Sequence, residues 1–269
     1  MAEVSQAARR FSQSAAMAAG ARLGLACRGF VYLMIGWLAV QIARGHGNTE
    51  ANQKGALADI ARHSGGKALL AVIGVGLAGY ALWRFSEAAF GTAADGPKAG
   101  PRLQSLVRGV VYAVLAVTAF GVAAGSGGQG QSQQQESVTA RLMRHPSGRA
   151  LVVAAGLVVV GIGIAMIAEG IRGKFEKQLT PGQPTGATRT VVLRLGMVGT
   201  IARGVVFGLA GALAVQAAIS YDPSESTGLD GALRTVADRP YGGWLLSAVA
   251  LGLMAFGLYG FATARWART

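Results

Sequence analysis

Three arginines stand where a hydrocarbon environment would penalise them. Arg28, Arg108 and Arg203 open near-identical strings, RGFVY, RGVVY and RGVVF, and each string leads an apolar run. A guanidinium keeps its charge at any physiological pH, so its chemistry here is not proton transfer. It grips oxyanions, carboxylate or phosphate, through a planar fork of N–H donors. Glu87 and Glu169 lie near the ends of later apolar runs. They predict the ion pairs Arg28–Glu87 and Arg108–Glu169, formed within one hairpin or swapped between neighbours. Arg203 lacks such a carboxylate, because Arg265 occupies the corresponding region. It should face a phosphate headgroup, a backbone carbonyl or an anionic ligand. The three arginines are thus either structural, snorkelling or ion-paired, or together an inner-side site for an anion or a lipid headgroup.

Other chemistry is missing. The chain has no HExxH, G-x-S-x-G, P-loop or dinucleotide fingerprint. No catalytic residue, cofactor or metal site is expected, and the chain reads as a non-enzyme. His46, His63 and His145 all fall in outer loops, and two equivalent histidines, His63 and His145, make a poor metal set. One cysteine, Cys27, rules out an intrachain disulfide.

The composition says what surrounds these residues. Of 269 residues 52% are hydrophobic and 14% charged, well below the quarter or so usual in soluble domains. The 41 glycines suit close packing of membrane helices. A net charge of +13 could suggest nucleic acid. The basic residues punctuate apolar segments instead of clustering on one soluble face, so no nucleic-acid partner is expected.

Six runs are long enough to cross a bilayer: Leu23–Ala43, Ala68–Phe90, Leu103–Ala124, Ala150–Ile171, Leu195–Ile219 and Tyr241–Ala264. The first reads as an uncleaved helix, since five more spans follow it. With six spans both termini share a side, and that side carries 16 of the 25 basic residues. The positive-inside rule then places both termini in the cytoplasm of a bacterial plasma membrane. From each motif arginine the remaining apolar length reaches only about 23–24 Å, short of a hydrocarbon core of about 30 Å. Each helix should therefore begin before its arginine, leaving the guanidinium one to two turns in, near the inner interface.

The motif recurs because a hairpin recurs. Each copy has an odd-numbered helix opening with the motif, then an outer amphipathic segment (GALADIARHSGG, VTARLMRHPSG or GALRTVADRPYGG), a Gly or Pro break, and a Gly-rich even-numbered helix. In the even helices Gly74 and Gly79 align with Gly156 and Gly161, and with Gly252 and Gly257. The expected divisions are a cytoplasmic N-terminal segment over 1–22, hairpins over 23–95, 103–178 and 195–266, and a cytoplasmic linker over 179–190. GQGQSQQQ, Gly128–Gln135, reads as a flexible loop. The motif aromatics Tyr32, Tyr112 and Phe207 either cover a guanidinium or fill the core. The fold expected is all-α: a polytopic membrane protein of six helices, three parallel repeated hairpins about a pseudo-threefold axis.

Three tandem two-helix units, each opening with RG-x-V-[YF], resemble an actinobacterial membrane-protein family catalogued as a domain of unknown function. The resemblance runs from about Leu23 to Arg265. It implies membrane location and threefold repetition, and brings no reaction with it. On function the expectation is a non-enzymatic scaffold or lipid-interacting protein, its partners the bilayer and anionic lipid headgroups. The alternative is a transporter or channel for a small, possibly anionic, solute. Few polar groups lie near the midplane (Thr118, Ser247), which ranks transport second.

Overall fold

The computed structural model describes residues 15–91, 99–126, 130–173, 179 and 184–266. The greater part of the expected N-terminal segment and residues 180–183 of the linker lie outside them. The described residues form nine α-helices: α1 Ala15–Ala43, α2 Gln53–Ala61, α3 Gly66–Phe90, α4 Ala99–Ala123, α5 Gln131–Met143, α6 Pro146–Ile171, α7 Gly186–Ser220, α8 Gly228–Ala237 and α9 Gly242–Trp266. Six of them, α1, α3, α4, α6, α7 and α9, are long and apolar enough to cross a membrane. The chain is an all-helical, multi-pass membrane protein.

The same turn ends the short helix of every copy. The N–H of Gly66, Gly148 and Gly242 donates to the carbonyl of His63, His145 and Arg239, at 2.9, 3.0 and 2.7 Å. A Cβ on any of these glycines would collide with the backbone of the preceding short helix. This turn fixes the register between copies. It makes Gly76, Val158 and Gly252 equivalent, and likewise Glu87, Glu169 and Thr263. The sequence alignment of copy three was off by two residues. Ala250 and Ala255, not Gly252 and Gly257, match Gly74 and Gly79, and Thr263, not Arg265, stands where Glu87 does.

Helix packing follows a cyclic rule. The tightest pairs are α3 with α4, α6 with α7, and α9 with α1. In each, the even helix of one copy meets the odd helix of the next. The motif glycine sits at each crossing. Gly29 lies on the backbone of Gly257 and Gly260, Gly204 on that of Gly163, and Gly109 on the Phe85 ring. A missing Cβ lets backbones approach, which is how membrane helices gain packing energy. Within hairpins, α1 packs on α3 and α7 on α9, but α4 and α6 are not packed along each other. The helices therefore run α4–α3–α1–α9–α7–α6, a ring left open in the second copy.

The short helices close the other end. Asp230 of α8 accepts the N–H of Ala51, just before α2, at 2.8 Å. Glu50 accepts the N–H of Gln131 at the start of α5, at 2.9 Å. Thr139 of α5 bonds Ser226, just before α8, at 3.0 Å. Each copy thus holds the next.

Two further expectations change. GQGQSQQQ is not all loop: α5 begins at Gln131, its first turn capped by Glu50, while Gly128 and Gln129 lie outside the described residues. The motif arginines also stand deeper than two turns from their helix starts. Arg28 comes at least 13 residues into its helix, counted from Ala15, Arg108 at least nine, counted from Ala99, and Arg203 17 after Gly186. Helical hydrogen bonding continues past the hydrophobic boundary. In α7 it runs through Arg189 and Arg194, within a segment expected in part as linker.

Candidate functional site

The cyclic packing carries the motif side chains inward together. Arg28 and Arg203 both lie over the Phe256 ring, at 5.2 and 5.0 Å from its centroid. Arg203 also faces Tyr32 at 5.2 Å and its own Phe207 at 5.1 Å. Two guanidiniums over one ring must share a depth. Phe256 matches Tyr80 by the turn register, and each packs edge-on against a motif aromatic of the next copy. Tyr32–Phe256 centroids are 4.8 Å apart and Tyr112–Tyr80 centroids 4.7 Å. At the third seam the equivalent residue is Ile162, which is exposed.

A motif arginine meets the motif aromatic of the next copy. Arg203 of copy three faces Tyr32 of copy one, and Arg28 of copy one interacts with the Tyr112 hydroxyl of copy two. The third contact, Arg108 to Phe207, would have to span the open side of the ring. It is not made. Arg108 has no stacked ring and no ion pair among the described residues; its electrostatic neighbours are the Tyr80 and Tyr112 hydroxyls together with the like charges of Arg84 and Arg28. Of the motif aromatics, Tyr32 and Phe207 lie under the Arg203 guanidinium, while Tyr32 and Tyr112 are buried in the core.

The carboxylates behave differently from the pairs predicted. Glu87 bonds Arg84, three residues back on α3, at 2.5 Å, and accepts from Ser105 of α4 at 3.0 Å. It does not pair with Arg28. Arg84 is further held by the Tyr80 hydroxyl at 2.9 and 2.7 Å and by the Trp83 ring at 4.3 Å. A partner one turn away on the same helix is in reach without any tertiary movement. Glu169 is half-buried on α6 and makes no ion pair among the described residues. It cannot meet Arg108, because α4 and α6 do not pack together. Arg84 is the site residue that sequence reasoning passed over, although R-x-x-E is a helical ion-pair spacing.

Arg28, Arg84 and Arg108 thus lie within electrostatic reach of one another, Arg203 shares the Phe256 ring with Arg28, and Glu87 is bonded to Arg84 alone of the four. Arg28 is 7% exposed, yet its Nε has no hydrogen-bond partner, and neither does the buried Nε of Arg203. An arginine near the bilayer centre costs about 2.5–3.5 kcal/mol on an insertion scale, even before an N–H is left idle. Rings lower that cost and do not neutralise the charge. What this arrangement can do is hold an oxyanion. No group of three or more metal-ligating side chains occurs among the described residues, and the His63 and His145 side chains are exposed.

The sequence model of a family described as Domain of Unknown Function (DUF1206) matches the chain three times, over residues 23–91, 103–173 and 198–267. An uncharacterized protein of Bacillus subtilis (strain 168) is 31% identical over 241 residues, 88% of this chain and 86% of that protein. No solved structure matches.

Proposed function

The chain belongs to the family described as Domain of Unknown Function (DUF1206), and on that premise we propose a non-enzymatic, lipid-interacting role in which the arginine cluster binds a phosphate group. Arg28, Arg108 and Arg203 supply the donors, and Arg84 adds charge while held by Glu87. The protein sits in a bacterial plasma membrane with both termini cytoplasmic, so the cluster faces the cytoplasmic leaflet. The basic-residue asymmetry supports that orientation. The preference for arginine over lysine, with abundant Ala and Gly, supports an actinobacterial setting for this member.

One observation carries the reading. The Nε atoms of Arg28 and Arg203 are both buried and unpartnered, beneath an excess of positive charge. A buried polar group without a partner costs about 1–3 kcal/mol, and more when charged. A phosphate offers several acceptor oxygens and negative charge together.

The test is phosphorus NMR and native mass spectrometry of the purified full chain. Wild-type protein should carry a phosphate-bearing molecule. Arg28→Gln and Arg203→Gln should each lose it about tenfold to a hundredfold, as expected for one charge-assisted hydrogen bond. Equal retention by both variants sinks the reading. Phosphate flux into vesicles above that of empty vesicles would replace binding by transport.

A further inference from the structure

We infer that the phosphate belongs to a membrane phospholipid, which enters sideways between α4 and α6 and leaves its acyl chains in that slot. This rests on the phosphate-site reading above and adds a source, a route and a place for the chains.

The protein contains its own control. In copy one, Cys27 of α1 touches Gly76 of α3, and in copy three Ala202 of α7 touches Gly252 of α9. These are equivalent positions, a small residue against a glycine, and they let each hairpin close. Copy two has Val107 and Val158 there. Two β-branched side chains replace a small residue and a glycine at the crossing point, and the hairpin stays open. Exposure follows: Cys27 is 7% exposed and Val107 56%, while Val158 is 62% exposed. One turn deeper, the motif valines repeat the contrast. Val31 is 5% exposed and Val206 1%, but Val111 is 49%.

The slot leads to the cluster. Arg108 lies on α4 between Val107 and Val111 in sequence, and among the described residues it has neither a stacked ring nor a carboxylate. Its missing aromatic partner, Phe207, stands on the far side of the opening. A headgroup moving inward would meet Arg108 first and then the idle donors of Arg28 and Arg203.

The walls decide between a lipid and a free anion. Val107, Val111 and Val158 offer a hydrated phosphate nothing in exchange for its water. An amphiphile satisfies both regions at once, chains against valines and phosphate against guanidiniums. A second copy of this chain is the poorer occupant, since it would bring a like-charged cluster to the same opening.

The experiment uses full-length protein in nanodiscs of phosphatidylglycerol and phosphatidylethanolamine, with soluble glycerol 3-phosphate as a second probe. Val111→Trp and Val158→Trp fill the slot from either wall. Each should lower retained phosphatidylglycerol about tenfold and leave glycerol 3-phosphate affinity within about twofold. Arg108→Gln should lower both. If both tryptophan variants retain phosphatidylglycerol at the wild-type level while Arg28→Gln and Arg108→Gln lose it, the lateral route is wrong and the phosphate site stands. If no arginine variant changes either probe, the phosphate site itself is wrong. A dimer that Val111→Trp dissociates, with no change in lipid, would give the slot to a second copy and overturn the inference. Thermal melts identify any variant that fails to fold, and the second wall variant then decides.

Discussion

The carboxylate of Asp230 reaches the backbone N–H of Ala51 at 2.8 Å, joining positions 179 residues apart. It ties copy three to copy one as Glu50 ties copy one to copy two. The three short helices therefore close a complete cycle at one end of the molecule. The spanning helices beneath them do not, because α4 and α6 stand apart. One face of the pseudo-threefold ring is thus held open under a closed cap.

Asp230 should accordingly matter for stability out of proportion to its place on a short helix. It is buried, and its second oxygen accepts from Arg234 at 2.8 Å. Asp230→Ala strands the Ala51 N–H and should cost about 1–3 kcal/mol, read as a lower melting temperature in detergent. Glu225→Ala is the control. Its exposed bonds to Gln216 and Ser220 should contribute no more than about 0.5 kcal/mol, as at other surface sites.

The motif glycines give a graded series. A Cβ on Gly29 would lie 2.6 Å from the Gly257 carbonyl oxygen, and one on Gly204 2.7 Å from that of Gly163. Neither backbone can yield without moving a helix, so Gly29→Ala and Gly204→Ala should each cost about 1–3 kcal/mol. At Gly109 the obstacle is the Phe85 ring, 2.8 Å away, and a side chain can rotate. Gly109→Ala should cost the least of the three by thermal melt. Equal losses at all three would mean that helix propensity, not close approach, explains the motif.

These positions show what a reader of the sequence could and could not see. Repetition of RG-x-V and the six apolar lengths were legible, since both are patterns within one segment. That glycines pack helices closely was legible too, but which helix each motif glycine crosses was not, because it depends on what lies opposite. The register between even helices was misread by two residues, since glycines are frequent enough to align in several ways. Only the turn after each short helix removes that freedom. The Arg108–Glu169 pairing failed for a related reason. It assumed that all three hairpins close, and Val107 with Val158 prevents that in one of them.

Glu87 separates stability from binding. Its carboxylate is bonded to Arg84 of the cluster and to Ser105. Removing one partner of a buried pair commonly costs about 3–5 kcal/mol. Arg84 keeps the Tyr80 hydroxyl and the Trp83 ring, so Glu87→Gln should fall at or below the lower end. The same change raises the net positive charge of the cluster, so retained phosphate should rise. Opposite signs in melting temperature and phosphate content are the expected result. A parallel fall in both would mean that Glu87 positions the site and does not merely balance it.

The motif valines test the open side without touching any charge. Val31 and Val206 are enclosed by protein, whereas Val111 is 49% exposed. In a bilayer an apolar side chain gains little by leaving lipid, so burial is worth its packing contacts. Val31→Ala and Val206→Ala each leave a cavity and should cost about 1–3 kcal/mol. Val111→Ala opens no enclosed space and should cost under about 0.5 kcal/mol. Chemical identity and motif position are the same in all three, so a difference in melting temperature reports only what lies opposite. If Val111→Ala proves as costly as Val31→Ala, something fills the slot tightly, and the mass of the co-purifying species will show whether it is a lipid or a second chain.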